Sequence, residues 1–199
     1  MSDPLPIVYL ARHGETAWSI SGQHTGLTDL PLTQRGERNA LRLGERLTGI
    51  PFAKVWCSPL ARAKQTCALA GLAERAELHP DLVEWDYGDY EGLRSIEIHR
   101  DRPGWNLFRD GCPGGESPAQ VIARADRVVG RARSVDGNAV LFSSGHILRV
   151  VASRWVNADP ASAARFLMLS TASLSALGYE GDRSRPAIRL WNETQHVEL

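Results

Sequence analysis

The chain has 199 residues, 43% of them hydrophobic and 23% charged, which suits the full core of one globular domain spanning 1–199. Lys plus Arg number 23 and Asp plus Glu 23, so net charge points to neither nucleic acid nor an acidic membrane as partner. No apolar run approaches the roughly 20 residues of a membrane span, and Met1-Ser2-Asp3-Pro4 lacks the basic and apolar regions of a signal peptide. Cys57, Cys67 and Cys112 are odd in number and have no metal-ligand spacing. They read as thiols in a reducing cytoplasm. Neither repeats nor a low-complexity linker mark a domain boundary.

The first predicted strand, Ile7–Ala11, ends in Arg12-His13-Gly14. It delivers an arginine and an imidazole to its C-terminal edge, and Gly14 lets the backbone turn away. In open α/β sheets that edge is where ligands bind. Guanidinium grips phosphate in a fork and imidazole can attack phosphorus, although Arg-His-Gly alone is a chance triplet in many proteins. Thr16–Leu32 is irregular, and loops of that length usually carry function. A helical pattern follows over Thr33–Leu47, with Thr33 as its cap. The strand Lys54–Ser58 leads through Pro59 into a helix over Leu60–Ala70. Arg62 falls in its first turn, where it reads as a second phosphate ligand beside Arg12 or, taken alone, as a solvated charge. A short extended piece, Glu77–His79, precedes Pro80.

The second long irregular stretch, Leu82–Gly115, sets Glu84, Asp86, Asp89 and Glu91 among Trp85, Tyr87 and Tyr90. A carboxyl desolvated against an aromatic ring has a raised pKa and can donate a proton near neutral pH; composition alone reads as a solvated acidic turn. Trp85, Tyr87, Tyr90, Trp105 and Phe108 are candidates to wall a leaving-group pocket or to pack a lid. Ser117-Pro118 opens a helix over Pro118–Arg133. The strand Ala139–Ser143 runs through Ser144-Gly145-His146 into a helix over Ile147–Val156. This third strand-to-helix junction offers Ser144, His146 and free backbone N–H groups to a phosphate, though a lone His there is as often structural. Ser173–Tyr179 and Ala187–Trp191 flank Gly181-Asp182, a hairpin signal. The alternation predicts a three-layer α/β/α fold, its sheet mostly parallel with an antiparallel edge strand.

Four stretches occur in order: Arg12-His13-Gly14-Glu15-Thr16; Thr25-Gly26-Leu27-Thr28-Asp29-Leu30-Pro31-Leu32-Thr33; Ser58-Pro59-Leu60-x-Arg62-Ala63-x-Gln65-Thr66; and Glu84-x-x-Tyr87-Gly88-x-x-Glu91-Gly92. Together, from about Ile7 to Trp191, they resemble the histidine phosphatase superfamily and its phosphoglycerate-mutase-like fold. The resemblance implies that His13 is the nucleophile of a phosphohistidine intermediate and that Arg12 and Arg62 hold the phosphoryl oxygens. It implies Glu84 as the proton donor to the leaving alkoxide and then the base for water, with Thr25 as a further phosphate contact. No metal and no cofactor are implied, because arginines supply the positive field. Gly22-Gln23-His24-Thr25-Gly26, Glu84-Trp85-Asp86-Tyr87-Gly88 and Gly111-Cys112-Pro113-Gly114-Gly115-Glu116-Ser117 are similar to the branch of small acid phosphatases and sugar-phosphate phosphatases.

One departure stands out. Family members usually carry a second catalytic histidine five residues before an arginine, and counting back from Arg149 reaches Ser144. Where that branch has Ser-His-Gly-His, this chain reads Ser143-Ser144-Gly145-His146. His146 then matches the accessory histidine, and Ser144 stands in the catalytic one's place among the phosphate-binding residues. The resemblance implies a phosphomonoesterase for small phosphorylated metabolites, sugar phosphates among them, with activity weakened at Ser144. The alternatives are phosphoglycerate mutase-like phosphotransfer and an impaired phosphate-binding pseudo-phosphatase. A mutase calls for extra basic residues beyond the acid; Arg94, Arg100, Arg102 and Arg109 are available for that, or are simply exposed. A cytoplasmic monomer or homodimer is expected, the late hairpin offering a dimer edge.

Overall fold

Apolar residues occupy both faces of the central strands, and helices cover the sheet on both sides. The computed structural model describes residues 5–198, so Met1–Pro4, read above for a signal peptide, lie outside the described residues. Six strands, β1 (Val8–Arg12), β2 (Phe52–Cys57), β3 (Ala76–Leu78), β4 (Asn138–Ser143), β5 (Leu174–Tyr179) and β6 (Pro186–Glu193), form one sheet ordered β3-β2-β4-β1-β5-β6. The pairs β1–β4, β2–β4 and β2–β3 are parallel; β1–β5 and β5–β6 are antiparallel. The expected hairpin is present. The strand that reverses is β5, inside the sheet, and β6 forms the edge.

The helices are α1 (Ala17–Ser21), α2 (Gln34–Leu47), α3 (Ala61–Leu69), α4 (Ser95–Asp101), α5 (Leu107–Asp110), α6 (Pro118–Arg133), α7 (Gly145–Trp155) and α8 (Pro160–Ala163). Alternation along the strands decides which helices each face receives. Val8, Leu10, Ala139 and Leu141 join Val121, Ala125 and Val128 of α6 and Ile147, Leu148 and Val151 of α7 in one core. Ala11, Val55, Val140 and Phe142 join Leu43 and Leu47 of α2 and Ala63 and Cys67 of α3 in the other. Thr33 caps α2 by accepting the Gly36 N–H at 3.0 Å. Ser117 and Gln120 close a capping box at α6. The long stretches expected to be irregular hold α1, α4 and α5, whose few turns carry too little periodicity to show in sequence. Among the described residues no helix is long and apolar enough to cross a membrane.

Register brings the parallel strand ends level, with Arg12 opposite Ser143 and Cys57 opposite Phe142. The chain leaving β1 reaches α2 on one face, whereas the chain leaving β4 enters α7 on the other. A crevice therefore opens between the carboxyl ends of β1 and β4, as expected at a switch point of an open sheet. Gly14 has a different role from the turn expected of it. Its φ is not in the left-handed region; instead a Cβ there would sit 2.5 Å from the Gly36 carbonyl oxygen. The two glycines let the start of α2 press against the loop after His13.

Candidate active site

The crevice holds a cavity of about 190 Å³, lined by Arg12, His13, Thr16, Ser19, Gln23, His24, Thr25, Glu84, Tyr87, Gly145, His146, Arg149, Met168 and Leu169. His13 is held on both sides by backbone. Its N–H donates to the Ser143 carbonyl at 2.9 Å, and its own carbonyl accepts the Ala172 N–H at 2.9 Å. Ala172 adopts a left-handed φ of 56°, an uncommon conformation for a residue with a side chain. His13 Nδ1 lies 2.7 Å from the Gly14 carbonyl oxygen. A carbonyl only accepts, so Nδ1 carries the ring proton and Nε2 keeps its lone pair. Burial, then the charges of Arg12 and Arg62, hold this imidazole well below its ordinary pKa, hence neutral.

Arg12 extends from the end of β1 along Gly145, where a Cβ would stand 3.3 Å from the guanidinium carbon. One terminal nitrogen donates to the Leu169 carbonyl, and Nε has no partner among the described residues. Burial lowers its pKa and the nearby charge of Glu84 raises it. Arg62 stands behind the cavity wall. Nη1 donates to the Thr28 carbonyl at 3.0 Å, and Nη2 to those of Thr25 and Gly26 at 3.0 and 2.8 Å; its Nε is buried and has no partner among the described residues. Its charge reaches His13, while its hydrogen bonds order the loop carrying Thr25. Thr66 ties the same layer together, accepting the Gly14 N–H at 2.9 Å and donating to the Arg62 carbonyl at 2.7 Å.

Glu84 approaches from the opposite wall. Its Oε1 accepts the N–H groups of Trp85 and Ile147 at 2.9 and 2.8 Å, and Oε2 accepts that of His146 at 2.9 Å. The carboxylate thus seats itself on the first turn of α7, whose free N–H groups favour an anion. Arg124 fixes the loop beneath it. Its guanidinium pairs with Glu116 at 2.8 Å through Nε and Nη2, and it donates to the carbonyls of Asp81, Val83 and Glu84. Ser143 adds a 2.6 Å bond to the Leu82 carbonyl. Glu91 holds the facing loop by accepting from Gly26 and Thr28 N–H.

Ser144 is buried, its Oγ makes no hydrogen bond among the described residues, and it is not among the residues that line the cavity. His146 is, and Tyr87 Oη lies 2.5 Å from its Nδ1. Of the aromatic residues expected to wall a pocket, Tyr87 alone reaches the cavity. Trp85, Trp105 and Phe108 are core, the two indoles donating to the carbonyls of Glu116 and Gly111. Arg94, Arg100, Arg102 and Arg109 do not line the cavity; Arg94 pairs with Glu97 and Arg109 with Asp110 at the surface.

The strand-borne imidazole, the adjacent guanidinium and the opposing carboxylate agree with an independent sequence finding. The model of the histidine phosphatase superfamily (branch 1) matches residues 8–194. The chain belongs to the histidine phosphatase superfamily. An acid phosphatase of Mycobacterium tuberculosis is 45% identical over 193 residues, covering 94% of each chain. A sedoheptulose 1,7-bisphosphatase of Saccharomyces cerevisiae is 38% identical over 183 residues, covering 75% of this chain and 67% of that one. The solved structure of an open reading frame from Mycobacterium tuberculosis matches with a TM-score of 0.89 at 37% identity, over 94% of this chain and 97% of that chain.

Within this histidine phosphatase the cavity adds residues that carry no role in the motifs. Arg149 is the foremost. Its Nε donates to the Ala164 carbonyl at 2.8 Å, its guanidinium carbon lies 4.7 Å from the centre of the Phe108 ring, and burial lowers its pKa to about 10. No carboxylate pairs with it among the described residues, although it lines the cavity. His24 is brought to about 4 by burial, and its ring sits 4.8 Å from that of Tyr87. Sequence order alone does not bring positions 24, 87, 146 and 149 together. Among the described residues no three His, Cys, Asp or Glu side chains gather to hold a metal ion.

Proposed function

We propose that this histidine phosphatase hydrolyses small phosphate monoesters through a phosphohistidine at His13. The observation that carries the reading is the tautomer of His13: with Nδ1–H donated to Gly14, Nε2 presents a lone pair in a cavity shared with Arg12 and Glu84. Nε2 attacks phosphorus, the P–N bond forms, and the ester P–O bond breaks. The ester binds as its monoanion, its proton passes to the Glu84 carboxylate, and Glu84 gives that proton to the departing alkoxide. Its Oε2, with one N–H bond against two for Oε1, is the oxygen suited to carry that proton. A water then attacks the phosphohistidine, Glu84 takes its proton, and P–N cleavage releases phosphate and neutral His13. Arg12 grips the phosphoryl oxygens with its unpartnered N–H groups. Arg62 contributes charge and holds the Thr25 loop, and Thr25 adds its hydroxyl.

The cavity is smaller than the ~300 Å³ at which drug-sized pockets begin, which favours a substrate of few carbons. The unpaired charge of Arg149 favours a substrate with a second anionic group beyond the transferred phosphoryl. A sugar phosphate or bisphosphate meets both conditions, and the similar yeast protein is named a bisphosphatase. Hydrolysis is preferred to mutase chemistry because none of the four arginines between positions 94 and 109 lines the cavity. We take the chain as one domain, acting in the cytoplasm as a monomer or as a homodimer joined at the β6 edge. The free thiols Cys57, Cys67 and Cys112 support that compartment.

The test is turnover of p-nitrophenyl phosphate between pH 5 and 7, followed by a panel of phosphorylated metabolites, with His13→Ala as control. Hydrolysis lost in His13→Ala is expected. Equal turnover by the variant, or conversion of 3-phosphoglycerate to 2-phosphoglycerate without net hydrolysis, contradicts the proposal.

A further inference from the structure

Ser144 leaves the site one imidazole short, and a neighbouring pair of side chains is arranged to replace it. Tyr87 is buried, and its Oη lies 2.5 Å from His146 Nδ1 with no other hydrogen-bond partner among the described residues. Two proton arrangements fit that contact. If Nδ1 carried the ring proton, it would donate to the phenol oxygen, and the phenol hydrogen would have no acceptor among the described residues. Native structures rarely leave a buried donor unsatisfied. If the phenol donates instead, both groups are satisfied and the ring proton sits on Nε2. That nitrogen makes no hydrogen bond within the described protein, and His146 lines the cavity.

The surroundings of the ring are consistent with this assignment. Glu84 Oε2 is 3.8 Å from Nδ1, the His24 ring centre is 5.9 Å away and that of Phe108 is 5.5 Å away. Burial first, then the charges of Arg149, His24 and Arg12, hold His146 well below its ordinary pKa. Burial, reinforced by the negative charge of Glu84, holds the Tyr87 phenol well above its own. A neutral ring has one proton to place, and a protonated phenol decides where.

We infer that Tyr87 is a positioning residue that fixes His146 as the Nε2–H tautomer, making it the hydrogen-bond donor to the phosphoryl group in place of the histidine absent at position 144. The donor role rests on the phosphatase reading proposed above; the tautomer does not. The backbone N–H of His146 is already committed to Glu84, so one residue seats the carboxylate with its main chain and faces the phosphoryl group with its ring.

The tautomer is read by nitrogen NMR of the full chain labelled in its histidine rings, without substrate, at pH 7. A pyridine-type Nδ1 and a pyrrole-type Nε2 are expected for His146, and a mixture or reversal in Tyr87→Phe. A pyrrole-type Nδ1 or an imidazolium in the wild-type chain overturns the inference. Kinetics supply the second arm. Removing one such donor costs about 10²–10³ in kcat by analogy, so His146→Ala is expected to lose about 10²-fold and Tyr87→Phe about tenfold on p-nitrophenyl phosphate. Tyr87→Phe should add no loss in the His146→Ala background. An equal loss with and without His146 gives Tyr87 a structural role only. Wild-type chain with the expected tautomer but no turnover of any ester contradicts the phosphatase reading and the donor role, and leaves the positioning by Tyr87 standing.

Discussion

The cavity has two walls of opposite construction. On the β1 side, Arg12 and His13 follow directly from the strand, and their partners are main-chain carbonyls of Gly14, Ser143 and Leu169. On the α7 side the helix start supplies N–H groups, but the carboxylate that meets them comes from Glu84, 62 positions away in the chain. A buried arginine, Arg124, holds that loop in place through three carbonyls and Glu116. The first wall is local geometry; the second is an assembly of distant pieces. None of the first wall's hydrogen bonds involves Ser144, so what the serine there does to the site turns on the second wall.

The largest expected effect breaks the first wall. His13→Ala should lower kcat/KM by about 10⁴-fold or more, as loss of a nucleophile does elsewhere; steady-state assays on the folded variant check this. Next comes the support of the second wall. Arg124→Met leaves Glu116 and three carbonyls without their buried partner and should destabilise the fold by about 3–5 kcal/mol, measured by urea denaturation. A loss under about 1 kcal/mol would mean the Glu84 loop holds itself. Arg149→Met should then lower kcat/KM by roughly 10- to 100-fold on esters bearing a second anion, the range of a hydrogen bond to a charged group. On p-nitrophenyl phosphate it should change little. Equal losses on both would place Arg149 on the transferred phosphoryl group instead.

Ser144→His should raise kcat by about tenfold, less than the 10²–10³ attributed to a sole donor because His146 already faces the cavity. An unchanged or lower rate would place the missing histidine elsewhere. The smallest effect is in stability against pH. His13, His24 and His146 all have lowered pKa values through burial, His24 to about 4. As pH falls below about 6.5 the unfolded chain takes up protons at these rings while the folded chain resists. Stability should therefore decline progressively from about pH 6.5 to 4, and His24→Gln should flatten the decline. Chemical denaturation at constant ionic strength follows it; an unchanged slope in the variant would remove His24 from this account.

What could be read from sequence divides along the same two walls. The strand ending at Arg12, the parallel strands, the late hairpin and the capped helices all declare themselves through local pattern and turn chemistry. His13, Arg12 and Glu84 stand on the cavity as the motifs suggest. Arg62 bears a phosphate-binding signature yet lies behind the wall, because only the folded loop supplies the carbonyls of Thr25, Gly26 and Thr28 that engage it. Trp85, Trp105 and Phe108 look the same in sequence as Tyr87; which aromatic ring reaches a cavity is a property of packing. Arg149 carried only a register count, since its lack of a carboxylate partner is visible only once the neighbours are in place.

The most direct measurement is to trap the intermediate. The wild-type chain is mixed rapidly with a phosphate ester, quenched in alkali to preserve phosphohistidine, digested, and its peptides analysed by mass spectrometry. Phosphate on the peptide containing His13, at a level that rises and decays with turnover and is absent from His13→Ala, is the result predicted. Sustained turnover with no phosphate on His13, or with phosphate on another residue, would contradict the account.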